Sequence, residues 1–244
     1  GKKLELYCCD PHCHIDDLTI SDIRNLKKKI GDHHLEVVCI TPEQCIYPVN
    51  IASKNIVARK RSLEVYVKCL ELANEMECSL CQFLSGFGCL DEEDGEVWKR
   101  SRDSLAYLAD IADSYGIDIA LETSPKSLTN AKEVMQMIGE IGKKRLYGML
   151  DTAVLGYSGE DVQDVIEILG DKLRHVHFAD GTPNGHLILG EGELNLEYML
   201  ESLNKALYPH ILGLEIMNGA YVTEPEKAME SSFEWLKDKI NGLQ

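Results

Sequence analysis

Basic residues are scarce in this chain: 25 lysines and arginines stand against 41 aspartates and glutamates, for a net charge of −16 over 244 residues. A surface so charged repels phosphate backbones, which argues against nucleic acid as a ligand. Long hydrophobic runs are absent as well. No apolar stretch approaches the roughly 18 residues needed to cross a bilayer, so no membrane segment is expected. No charged start followed by an apolar stretch reads as a signal peptide. A second cysteine pair is also missing. Cys78 and Cys81 form a lone C-x-x-C with no partner at zinc-finger spacing, and they read as structural. Nine cysteines without a secretory signal point to a reducing compartment, hence the cytoplasm. Of these, Cys8, Cys9, Cys39, Cys69 and Cys81 sit among apolar neighbours and are expected as small core residues.

What is present is the composition of an ordinary globular protein, 44% hydrophobic and 27% charged. The length suits one sizeable core, and the chain is expected to form a single domain over residues 1–244. Seven times, a strand-like apolar run gives way to a helix-like one. The strands are expected at 4–9, 35–40, 79–84, 118–123, 146–151, 174–179 and 211–216. Helices are expected at 21–31, 53–76, 97–115, 128–142, 160–170, 195–207 and 225–240. Leu63, Val67, Leu70 and Ala73 repeat at helical spacing, as do Leu105, Leu108, Ile111 and Ala112. Ser158–Asp161 and Thr223–Glu226 read as helix starts, with Pro225 tolerated in a first turn.

Strict alternation implies parallel strands with right-handed crossovers. No glycine-rich phosphate loop follows the first run, so a TIM-type (β/α) barrel is expected rather than a dinucleotide-binding sheet. Such a barrel needs eight units and the sequence shows seven, the amino-terminal one having no counterpart. The exposed edge beside the first strand is expected to be covered by another segment or by a partner subunit, which makes a homo-oligomer plausible.

Four of the strand-like runs end in residues that bind metals: Glu122, Asp151, His177 and Glu215. Their separations of 29 (122 to 151), 26 (151 to 177) and 38 residues (177 to 215) are each about one βα unit. Four consecutive strands of a barrel would carry them to one mouth. Three carboxylates and an imidazole suit one divalent cation, with Mn²⁺ preferred and Co²⁺, Zn²⁺ or Mg²⁺ possible. His175, two positions before His177, reads as a group behind the metal ligand or as a satisfied core histidine. His186 leads into Leu189-Gly-Glu-Gly-Glu193, whose glycines permit close approach to a ligand. His12 and His14 follow the first strand, and Thr41–Asn50 follows the second.

These residues carry a resemblance. Glu122, Asp151, His177 and Glu215, with Leu173-Arg-His-Val-His-Phe-Ala-Asp180, look like the xylose-isomerase-like sugar epimerases. Pro11-His12, Thr41-Pro-Glu43 with Tyr47-Pro-Val-Asn50, Leu169–His175 and His186 with Gly190-Glu-Gly192 resemble the fructoselysine 3-epimerase branch. The resemblance implies that Glu122, Asp151, His177 and Glu215 bind the metal and that Glu122 and Glu215 also act as an acid/base pair. It implies that His12, Glu43, Asp180 and His186 contact a small sugar substrate. Departures are specific. Leu128 stands where ketohexose 3-epimerases carry a second glutamate, Val154 where they carry a histidine and Pro183 where they carry an arginine. These losses weaken a claim for free fructose, tagatose or psicose and leave the metal residues intact.

The expected activity is therefore a metal-dependent epimerase or isomerase working by proton abstraction next to a carbonyl, through a cis-enediolate. A metal-dependent lyase on the same scaffold shares that first step. A non-catalytic truncated barrel that binds a sugar or a partner protein is the alternative outside enzymes.

Overall fold

The computed structural model describes residues 2–11, 13–44, 49–124, 127–181 and 185–242. The chain forms two compact units. Unit 1 comprises residues 1–122, 126–128 and 136–147, and unit 2 comprises 123–125, 129–135 and 148–244.

Unit 1 contains strands β1 (Lys3–Cys8), β2 (Glu36–Pro42), β3 (Leu80–Phe83) and β4 (Asp118–Leu121), with the first residues of β5 (Leu146–Asp151). β1 pairs with β2, β2 with β3 and β3 with β4, all in parallel. The crossovers are α1 (Ile20–Asp32), α2 (Ile56–Glu75) and α3 (Asp94–Tyr115). α1 opens with a capping box: the Thr19 side chain accepts the Asp22 amide, and the Asp22 carboxylate accepts from the Thr19 backbone. α2 begins where the Asn55 side chain accepts the amides of Val57 and Ala58. All four residues of β3, Leu80-Cys-Gln-Phe83, are buried, as expected for a parallel strand covered on both faces. Leu70, Phe83, Leu105, Leu108, Ile119 and Leu121 are fully buried. Each such side chain contributes roughly 1.5–3 kcal/mol of hydrophobic stabilisation.

Unit 2 contains the rest of β5, then β6 (Leu173–Phe178) and β7 (Leu212–Leu214), paired in parallel in that order. Its helices are the start of α4 (Ala131–Ile141), then α5 (Thr152–Ser158), α6 (Val162–Leu169), α7 (Leu196–Lys205) and α8 (Pro225–Gly242). Gly148 on β5 is a packing requirement. A Cβ there would meet Leu169 Cδ2 at 2.8 Å and Val134 Cγ1 at 3.0 Å, so only glycine lets these side chains lie flat on the strand.

All seven expected strands are present, in chain order within each unit. Three expectations need correction. The run at 211–216 yields only three residues of β7, and Glu215 follows the strand rather than ending it. The helix expected at 160–170 is α6, capped by Asp161, but an additional helix, α5, starts directly at the end of β5. Cys9 is half-buried, whereas Cys8, Cys39, Cys69 and Cys81 are core residues. Among the described residues, no helix is long and apolar enough to cross a membrane.

Candidate metal centre

Strand register sets the site in unit 2. Asp151, the last residue of β5, lies opposite His177 on β6, and His177 lies opposite Gly213 on β7. Glu215 follows two residues beyond Gly213. One donor atom each from Asp151, His177 and Glu215 falls within 4.8 Å of the others. His177 Nδ1 and Glu215 Oε2 are 2.7 Å apart. Asp151 and His177 are buried.

Asp151 has two tasks, divided between its oxygens. Oδ1 accepts the amides of Ala153 at 2.7 Å and Val154 at 3.2 Å, capping α5. Oδ2 lies 3.0 Å from His186 Nε2. The same nitrogen is 3.3 Å from Glu215 Oε2. Burial disfavours a charged His186, but the two carboxylates outweigh it, and its pKa rises to about 10. Burial likewise works against an ionised Glu215. His177 and His186 prevail there and hold its carboxyl well below the usual range.

Placing His186 strains the chain. Its backbone is left-handed at φ 58°, a region that disfavours a side chain. On one side Leu187 pairs with Asp180 in an antiparallel bridge. On the other, the Met217 amide donates to the His186 carbonyl at 3.0 Å, tying this loop to the segment that carries Glu215. Asp180 organises the turn at 190–194. It is buried, and its carboxylate accepts the amides of Gly190 and Gly192, both at 2.9 Å, and of Leu194 at 3.2 Å. Expected to touch substrate, Asp180 is here the hub of that loop. His175 is buried, with its ring edge-on to His177 at 5.1 Å.

Glu122 belongs to unit 1 and stands directly after β4, and the chain passes into unit 2 at Thr123. Its amide donates to Phe83 O at 3.1 Å, and its Oε2 accepts from Gln82 Nε2. Glu43, also in unit 1, accepts from Tyr7 Oη at 2.7 Å. His12 and Pro183 lie outside the described residues. Leu128 is buried with φ 50°, and Val154 donates its amide to Asp151.

The donor set fits a divalent cation. Two carboxylates and an imidazole converge at or just beyond strands in parallel register, Asp151 and His177 buried and Glu215 half-buried, a mixture that Mn²⁺, Co²⁺ and Zn²⁺ accept.

Residues 3–239 match the model of the xylose isomerase-like TIM barrel, and the chain belongs to that family. It is 25% identical over 228 residues to fructoselysine 3-epimerase of Escherichia coli O157:H7, covering 91% of this chain and 82% of that protein. Its fold is similar to that of a D-tagatose 3-epimerase-like protein, with a TM-score of 0.84, 22% identity and coverage of 99% and 89%. It is also similar to that of the IOLI protein with a binding zinc atom, with a TM-score of 0.80, 17% identity and coverage of 100% and 89%. These relatives include sugar epimerases.

Proposed function

We propose that this protein is a metal-dependent epimerase or isomerase of a ketose or ketose derivative. The observation that supports this most is the convergence of Asp151, His177 and Glu215 within 4.8 Å at or just beyond successive parallel strands. A chain that bound sugar by polar contact alone would have no need to bury Asp151 and His177 against Glu215, because burial penalises each charge. Glu122 is the fourth ligand in this reading, carried by its place at the end of the preceding strand and by the sequence motif. A divalent cation held by these residues would polarise the substrate carbonyl and stabilise a cis-enediolate.

The protein's own groups account for the proton transfers. One of Glu122 and Glu215 removes the proton from the carbon beside the carbonyl. The other returns a proton to the opposite face, which inverts the centre. Each positioned acid or base contributes roughly 10²–10⁴-fold. Glu43 and His186 supply further polar contacts to the sugar. With Leu128 and Val154 where ketohexose 3-epimerases carry polar side chains, the substrate is a derivative rather than a free ketohexose.

The test is metal content by mass spectrometry on wild type and His177→Ala, followed by ketose incubations in D₂O. About one tightly bound Mn, Co or Zn per chain, absent from the variant, together with deuterium at carbon, is the expected result. No metal in wild type after reloading overturns the metal centre. Metal without exchange into any ketose overturns the epimerase reading.

A further inference from the structure

Behind Glu122, unit 1 contains a chain of uncharged polar side chains that the proposed proton transfers do not use. Tyr66, Gln44 and Gln82 are all buried, at 1%, 3% and 1% exposure. Tyr66 Oη donates to Gln44 Oε1 at 2.9 Å, and the Leu84 amide donates to the same oxygen at 2.8 Å. Gln44 Nε2 donates to Gln82 Oε1, and Gln82 Nε2 donates to Glu122 Oε2.

The direction of this chain is forced. A backbone N–H can only donate, so the Gln44 atom facing Leu84 must be the oxygen. Its NH₂ therefore lies on the far side and must donate in turn. The Gln82 atom that receives this bond must be an oxygen, which leaves the Gln82 NH₂ toward Glu122. A buried amide turned the other way would set two donors or two acceptors against each other at both junctions. The Leu84 backbone, acting through two glutamines, thus fixes a donor on the glutamate.

We infer that Gln82 is a positioning residue for Glu122, with Gln44 and Tyr66 behind it setting its polarity. The relay commits one lone pair of Oε2 and holds the carboxylate in a single rotamer. A neutral amide donates this bond without placing a cation beside the carboxylate. The role rests on the proposed metal centre only through its consequence for binding, because the relay is a property of unit 1.

Two measurements test it. Mn²⁺ titration of metal-stripped wild type, Gln82→Met, Glu122→Leu and the double variant reads the consequence. Gln82→Met keeps the volume and removes the donor. It should weaken Mn²⁺ binding about 10–100-fold, the usual effect of losing a group that orients a ligand. In the Glu122→Leu background the same change should cost nothing further. Wild-type affinity in Gln82→Met, or equal losses in both backgrounds, overturns the role. Side-chain amide NMR of the metal-free protein reads the relay itself. The Gln82 NH₂ protons should exchange at least about tenfold more slowly than those of an exposed glutamine, and their resonances should move in Glu122→Leu. A Gln82 amide that exchanges freely, or that ignores Glu122, overturns the relay even if metal binds. Failure of wild type to bind Mn²⁺ removes the metal reading alone, and the amide signal then decides the relay.

Discussion

The two units treat buried polarity in opposite ways. In unit 1 it is neutral and directional: Tyr66, Gln44 and Gln82 pass hydrogen bonds one way until they meet a single carboxylate. In unit 2 it is ionisable and convergent: His186 reaches both Asp151 and Glu215, and Glu215 reaches His177. A neutral chain can be satisfied completely by its own members. A cluster of two carboxylates and two imidazoles depends on protons or on a cation to balance it. The difference separates a region that holds one group steady from one whose charges need a balancing partner.

Substitutions should divide along the same line. The largest effect is expected from Asp151→Asn, which should bring bound metal from about one per chain to near zero by mass spectrometry. Full retention would remove Asp151 from the ligands. Next is Glu215→Gln, with turnover lowered by roughly 10²–10⁴-fold and an unchanged circular dichroism spectrum. A near-normal rate would remove Glu215 as a base. Asp180→Ala strips an acceptor from three loop amides and should destabilise the protein by roughly 2–4 kcal/mol in urea titration. No change in midpoint would show that water replaces the carboxylate. The smallest effect belongs to unit 1. Thr19→Ala removes half of the capping box of α1, at a cost of about 1 kcal/mol, and should leave metal affinity unchanged. A loss of metal in that variant would mean the contrast between the units is false.

The sequence carries the candidate site in unit 2 because each proposed ligand follows an apolar run, and strand register then does the placing. Two kinds of information are not visible there. α5 is hidden because Asp151 acts twice, as a strand end and as a helix cap, and the strand signal dominates its local pattern. Gln44 and Gln82 are silent for another reason. A glutamine in an apolar run carries neither charge nor periodicity, and its partners are 38 and 40 residues away. Asp180 shows the converse. A conspicuous carboxylate just beyond the strand of His177 reads as a substrate contact, and its partners are amides 10–14 residues ahead. The glycines at 190 and 192 were the signal: they let the backbone fold over that carboxylate.

Gly192 bears on how this protein can be altered. A side chain there would collide with the Asp180 carboxylate, and its Cβ would stand 2.6 Å from the Gly181 carbonyl oxygen. Its neighbours Glu191 and Glu193 are exposed. A library built to vary the surface of this turn should therefore change 191 and 193 and leave 192 alone. By the same steric rule, substitutions on the flanks of this turn leave its backbone path intact, and one at its middle residue does not.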